Sequence, residues 1–182
     1  MNKYSIIYAD PAWPFNNKNT GGNLKSGSVQ QYPVMKLSDM MKLPVPEISE
    51  DNAVLFMWWI ASQPVEAIRL VQAWGFTIKT MTGLVWIKET KLGNPFFGMG
   101  FWTRAGSECC LIAVKGNIRR VKGNVRSVFK SPIEQHSKKP DVAREMIVDL
   151  MGDLPRVELF ARQETSGWDV WGNEVQNSII LP

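Results

Sequence analysis

The chain has 182 residues, with 21 Lys and Arg against 17 Asp and Glu, which leaves a formal net charge of +4. That length suits one soluble domain, residues 1–182, able to bury about 70% of the surface its unfolded chain exposes. No run approaches the roughly 20 apolar residues of a membrane span, and Asp10 already stands where a signal peptide would carry its apolar stretch. The two cysteines, Cys109 and Cys110, are adjacent and provide neither a disulfide framework nor a four-ligand metal site. The expectation is a cytoplasmic protein, bacterial or from a phage-infected cell, with no membrane partner and no metal. Its mild basicity suits a polyanionic partner.

Taken in chain order, Tyr4 to Ala9 and Ala53 to Ile60 are apolar runs of buried-strand length. Ser62 to Trp74 has apolar residues at helical spacing, with Ser62 as N-cap and Pro64 in the first turn. Ile78 to Ile87 and Cys109 to Val114 read as strands. Pro140 to Met151 reads as a helix closed near Gly152, Val157 to Phe160 as a further strand, and Asn177 to Ile180 as a last short apolar strand. This alternation predicts an α/β fold, a mostly parallel sheet with helices on both faces. Asn16 to Gln31 and Lys88 to Thr103 are rich in Gly and read as long functional loops. Sheets of this kind bind ligands beyond the carboxyl ends of their strands, where the strand order reverses. Asp10 and Arg162 are expected there.

Asp10-Pro11-Ala12-Trp13 follows directly on the first strand. Asp-Pro after a strand is ordinary turn chemistry. The same residues also meet a specific chemical need. The exocyclic amine of a nucleobase is a poor nucleophile, because its lone pair is delocalised into the ring. Acceptors on its N–H groups localise that lone pair. Asp10 supplies one such acceptor and the main-chain carbonyl of Pro11 another, in a turn that proline stiffens; Trp13 offers a flat face for a base.

Read outward from this motif, the chain resembles the MT-A70 family of S-adenosylmethionine-dependent adenine-N6 methyltransferases, whose hallmark is Asp-Pro-Pro-Trp. The resemblance covers nearly the full length. It runs through Ile7 to Trp13, Leu55 to Trp58, Trp74 to Phe76, Val85 to Lys88, Gly106 to Leu111, Val114 to Asn117, His136 to Asp141, Glu158 to Arg162 and Gly172 to Glu174. It implies a Rossmann-like methyltransferase fold with permuted motif order, the catalytic motif before the cofactor motif. Consistent with that order, no Gly-x-Gly-x-x-Gly occurs in the sequence.

Carried over position by position, the resemblance implies Asp10, Pro11, Ala12 and Trp13 as the catalytic turn. It places Lys139 toward the methionine carboxylate of S-adenosylmethionine, Arg162 and Asn173 toward the ribose and Glu174 at the cofactor's polar rim. Asp10 and Phe160 border the same pocket. Tyr32 matches the tyrosine beside the target adenine, and Glu108 stands either near the adenine pocket or as an exposed charge at a strand start. Trp58 is either a substrate contact or core packing, and the lone His136 is read as an exposed loop residue. Two departures stand out. Ala12 replaces the family's second proline, which loosens the turn but keeps Asp10, the Pro11 carbonyl and Trp13. An Asp-containing strand that longer relatives carry before the catalytic one has no counterpart ahead of Asp10, and Ser178 and Ile179 are placed to fill that space.

The run Lys115, Arg119, Arg120, Lys122, Arg126 and Lys130 contains no acidic residue. It reads either as a solvated loop or, better, as a contact for nucleic-acid phosphates. The resulting expectation is methylation of adenine N6 in nucleic acid, DNA favoured over RNA. A catalytically silent nucleic-acid-binding partner of the same fold is the alternative from a different class. Recognition then falls to the loops, the basic run or a second subunit, a homodimer included.

Overall fold

The computed structural model describes residues 2–13, 35–98, 100, 102–134 and 138–181. In chain order the elements are β1 (Tyr4–Ala9), α1 (Leu37–Met40), α2 (Val45–Ile48), β2 (Ser49–Trp59), α3 (Pro64–Ala73), β3 (Thr77–Glu89), β4 (Ser107–Lys115), β5 (Val128–Pro132), α4 (Asp141–Met151), β6 (Arg156–Leu159) and β7 (Asp169–Trp171). The seven strands form one sheet in the order β5-β3-β4-β2-β1-β6-β7. All run parallel except β4, which is antiparallel to both β2 and β3. The mostly parallel α/β sheet expected from the sequence is therefore present, and it is Rossmann-like.

β1 is central and has no solvent-facing side. Ile7 and Ala9 join one buried cluster with Met40, Ile48, Leu70 and Val71 from α1, α2 and α3. Ile6 and Tyr8 join a second on the opposite face with Ala143, Ile147 and Met151 of α4. The unbroken apolar stretch before Asp10 is thus what a strand covered on both faces requires. In α4 those three residues recur every four positions and make one stripe. The helix stops at Gly152, whose φ of 85° only glycine adopts cheaply.

From β1 the chain builds outward through β2 to the far edge, then returns by way of α4 to lay β6 on the other side of β1. The strand order thus reverses between β1 and β6. The crevice beyond their carboxyl ends opens beside Asp10, whose backbone N–H donates to the Leu159 carbonyl at 3.4 Å.

Several local readings need correction. The N-cap of α3 is Gln63 and not Ser62, with no side-chain cap bond, because Pro64 already begins the helix. Lys88 and Glu89 belong to β3 and not to the following loop. The end of the basic run is not loop but the edge strand β5, paired in parallel with β3. Asn177 to Ile180 is not a strand: Ser178 alone pairs with β7, its backbone N–H donating to Val170 at 3.0 Å. The Asn16–Gln31 loop, Tyr32 and His136 lie outside the described residues.

Candidate active site

The turn after β1 is held on both sides. The Pro11 carbonyl accepts the Trp13 N–H at 2.8 Å, and Ala12 accepts from Met35 at 3.4 Å. The Trp13 indole N–H donates to the Trp58 carbonyl at 3.0 Å, and the Trp58 indole donates to the Tyr8 hydroxyl at 2.7 Å. Trp13 is itself part of the core cluster that contains Ala9 and Met57. Its ring therefore braces the turn from inside the fold. Trp58, only 1% exposed, has no face to offer a substrate, so the core-packing reading is the correct one; its contact with the site runs through Lys139, whose ammonium lies 5.5 Å from the ring centroid.

Lys139 sits just ahead of α4 and reaches across to the end of β1. Its Nζ is 2.8 Å from Asp10 Oδ2 and 3.2 Å from Glu108 Oε2, with the side chain 9% exposed. Glu108 in turn accepts from Lys88 Nζ at 2.5 Å. These four residues come from β1, β3, β4 and the approach to α4, and they alternate in charge: Lys88, Glu108, Lys139, Asp10. Burial favours the neutral amine of Lys139, but Asp10 and Glu108 outweigh it and raise its pKa above the ordinary lysine value. Burial likewise pushes the Glu108 carboxyl upward, and the Lys139 and Lys88 ammoniums more than reverse this, holding it below the usual carboxylate range. Lys139 and Glu108 are both charged at neutral pH. Among the described residues, Asp10 Oδ1 has no side-chain hydrogen-bond partner.

The other wall of the crevice is the end of β6. Phe160 takes a positive φ of 61°, the sole non-glycine residue to do so among the described residues. Its ring meets Trp171 edge-on at 5.6 Å. The turn after β7 packs so closely that a Cβ on Gly172 would stand 2.1 Å from the Ala161 carbonyl oxygen. Backbone held in a sparsely populated region beside a binding crevice is where functional strain concentrates. Arg162 and Glu174 approach each other across this turn, Nε to Oε1 at 3.9 Å, with Asn173 exposed next to them. Ser178 is otherwise engaged: its hydroxyl accepts the Val170 N–H at 2.7 Å. Ile179 packs against the core cluster on the β1 face.

The structure thus brings Asp10, Pro11, Lys139, Glu108, Phe160, Arg162, Asn173 and Glu174 to one edge of the sheet. It does not bring Lys115, Arg119, Arg120 or Lys122 there; of the run, Lys130 returns toward that edge on β5, opposite Ile87 and 3.5 Å from Glu89. β4 is antiparallel to its neighbours, so Glu108 opens it at the Asp10 edge and Lys115 closes it at the opposite edge, roughly 23 Å away at about 3.3 Å per residue. Lys115 donates to the Pro46 carbonyl at 3.4 Å, Lys122 is paired with Asp149, and Arg119 and Arg120 are exposed.

One site residue went unread in the sequence: Lys88. Its signal was the alternation in Val85-Trp86-Ile87-Lys88, which turns Lys88 to the same face as the buried Trp86. There its ammonium lies 5.1 Å from the Trp86 ring.

The MT-A70 family model matches residues 4–174. Type II methyltransferase M.MunI of Mycoplasma sp is 36% identical over 99% of this chain and 82% of its own length. The METTL3 catalytic subunit of N(6)-adenosine-methyltransferase from Homo sapiens is 26% identical over 100% of this chain, which spans only 30% of that protein. An MT-A70-like N(6)-adenosine-methyltransferase of Arabidopsis thaliana is 24% identical, and the chain spans 25% of it. With a family model covering residues 4–174 and a relative 36% identical over nearly all of the chain, the chain belongs to the MT-A70 family of methyltransferases.

Proposed function

We propose that the chain transfers a methyl group from S-adenosylmethionine to the N6 amine of adenine in nucleic acid, with DNA as the polymer. The observation that carries this reading is the Asp10 carboxylate, fixed by Lys139 through Oδ2 at the strand-order reversal with Oδ1 left to accept from an amine. DNA is preferred because M.MunI, the relative sharing 36% identity, is a type II methyltransferase, whereas the adenosine methyltransferases share 24–27% over a quarter to a third of their length.

The residues at the β6 wall fit the cofactor. Arg162, Asn173 and Glu174 are hydrogen-bonding groups suited to ribose hydroxyls and to the cofactor's polar rim, and the close approach of Gly172 to Ala161 holds the two turns that carry them together. Lys139 is the cation nearest the reacting end and is assigned to the methionine carboxylate side. When bound, S-adenosylmethionine supplies an electrophilic methyl on a sulfonium.

Asp10 Oδ1 accepts one N6 hydrogen and the second lone pair of the Pro11 carbonyl accepts the other, its first being used by Trp13. Holding both hydrogens localises the nitrogen lone pair and aims it. Because Lys139 shares the carboxylate's charge, Asp10 acts as a fixed acceptor, and the proton lost after transfer passes to water. The acceleration comes from positioning and from acceptors oriented in advance. In a duplex the adenine must first leave the stack, at a cost of a few kcal/mol.

Incubation with labelled S-adenosylmethionine and matched DNA and RNA pools, followed by nucleoside mass spectrometry, tests base, position and polymer together. N6-methyladenine in the DNA pool is the expected product. Asp10→Ala should lower turnover by about 100-fold or more with cofactor affinity by calorimetry within severalfold of the parent. A variant that retains substantial turnover removes this mechanism.

A further inference from the structure

Trp102 is 100% exposed, Phe97 75% and Leu92 88%. Three of the eight exposed large hydrophobic residues among the described residues thus lie in one connection, between β3 and β4. Scattered exposed apolar groups need no explanation, but several on one loop do. This connection joins the carboxyl end of β3 to the amino end of β4, which puts it on the Asp10 edge of the sheet. Its base is tied to the site, since Lys88 bonds Glu108 and lies 6.0 Å from the Phe96 ring centroid. The loop is also folded and not simply extended: Phe96 donates to the Lys88 carbonyl at 3.1 Å and Gly98 to Ala105 at 3.1 Å.

The charge of the loop is of one sign. Residues 90–107 include Lys91 and Arg104 and no acidic residue, both cations are exposed, and the Arg104 guanidinium lies 5.0 Å from the Phe97 ring centroid. Two copies of the chain meeting through this face would bring like charges together, because a two-fold contact sets the same patch against itself. Exposed aromatic faces flanked by cations are instead what unstacked bases and their phosphates require.

We propose that this loop is the nucleic-acid platform of the site: Trp102 and Phe97 stack on bases adjoining the target adenine, and Lys91 and Arg104 hold the flanking phosphates. The inference rests on the nucleic-acid methyltransferase reading above. It moves base stacking from the enclosed Trp13 to side chains that water already reaches. An adenine leaving a duplex exposes the faces of its neighbours, and a platform at the mouth of the crevice receives them.

Fluorescence anisotropy with labelled single-stranded DNA, single-stranded RNA and duplex DNA, each containing adenine, tests this in the full chain. Trp102→Ala and Phe97→Ala should each raise the dissociation constant by about fivefold to 100-fold, the loss expected for one base stacked on an aromatic ring. Trp102→Phe should restore most of the affinity. Joint replacement of Lys91 and Arg104 by Gln should flatten the dependence of log K on log salt by about 0.7 for each single-strand phosphate no longer neutralised. Melting temperature and S-adenosylmethionine affinity by calorimetry should stay at parental values, since Trp102 touches neither core nor crevice.

Unchanged affinity of both alanine variants for all three probes overturns the proposal, as does a parental dimer that Trp102→Ala splits into monomers, which would assign the face to a second copy. A parent that binds the probes but transfers no methyl group overturns the functional reading alone, and the variant comparison still decides the platform. A parent that binds none of the probes overturns both.

Discussion

Lys139 is worth more as a structural charge than as an isolated cation, because an ammonium this buried survives only if carboxylates face it. Asp10 and Glu108 do so at 2.8 and 3.2 Å. The carboxyl of Glu108 is held below its ordinary pKa once folded, so it contributes stability that is full above the usual carboxylate pKa of about 4.3 and is lost as pH falls through the lower folded value. Lys139 is raised, so its contribution is full below the usual lysine pKa of about 10.4 and is lost as pH climbs through the higher folded value. The pair is therefore stabilising throughout the neutral range. Glu108→Gln should lower the melting temperature at pH 7, with the gap to the parent closing as both are titrated toward pH 3. A gap that stays constant with pH would mean that the carboxylate's charge was not the source. The Cys110 thiol, pushed well up by burial and by Asp10, stays protonated across this range and adds nothing to the profile.

Among the elements, α4 and β6 are joined by more than apolar contact. Arg144 on α4 meets Glu158 on β6 in a two-pronged ion pair, Nε to Oε2 and Nη2 to Oε1 both at 2.7 Å, with its guanidinium 5.6 Å from the Tyr8 ring centroid. Glu158 is opposite Tyr8 in the β1–β6 ladder, so the pair lies directly under the crevice floor. Arg144→Ala would leave a buried carboxylate unpaired and should cost about 3–5 kcal/mol in denaturant unfolding. Replacing Arg144 and Glu158 together by Met and Leu should cost much less, which separates the penalty of an orphaned charge from the worth of the pair.

Elements of this kind show what could be read in advance. β1 was legible to the residue because a strand buried on both faces leaves an unbroken apolar run bounded by Asp10. β7 was not: three residues, Asp169–Trp171, carry no periodicity, and they pair because β6 presents an open edge. β5 was hidden for a different reason, since an edge strand with Lys130 and Pro132 has the composition of a loop. At the site, the identities of Asp10, Lys139 and Glu108 came from motif resemblance. The ion-pair relay that joins them came only from the fold, which sets β1, β4 and the approach to α4 at one edge. Of the two readings open for Trp58, the fold favours core packing, because the side chain is enclosed by Tyr8, Trp13 and Lys139.

At the scale of the whole molecule, the antiparallel β4 decides where positive charge can act. It carries Glu108 at the crevice edge and delivers Lys115 to the far edge, roughly 23 Å off at about 3.3 Å per residue, and of the basic run β5 brings Lys130 back toward the crevice end. The Lys115–Lys122 part of the run cannot share a nucleotide with Asp10, so any phosphates it holds belong to polymer well outside the target base. About seven nucleotides at roughly 3.4 Å each span that separation along one strand. Lys122 spends its charge on Asp149, which leaves Arg119 and Arg120 among the exposed cations expected to contribute, with Arg126. Replacing Arg119 and Arg120 by Gln should therefore leave turnover on an oligonucleotide of about five nucleotides unchanged and weaken binding of a duplex of about 20 base pairs. On that longer substrate the slope of log K against log salt should fall by about 0.9 for each phosphate no longer neutralised. Because backbone contacts position without specifying, the weakening should be equal for all sequences. An unaltered slope on the long duplex would reduce the run to a solvated surface, whereas an equal weakening on the short substrate would require the polymer to wrap around the edge of the sheet.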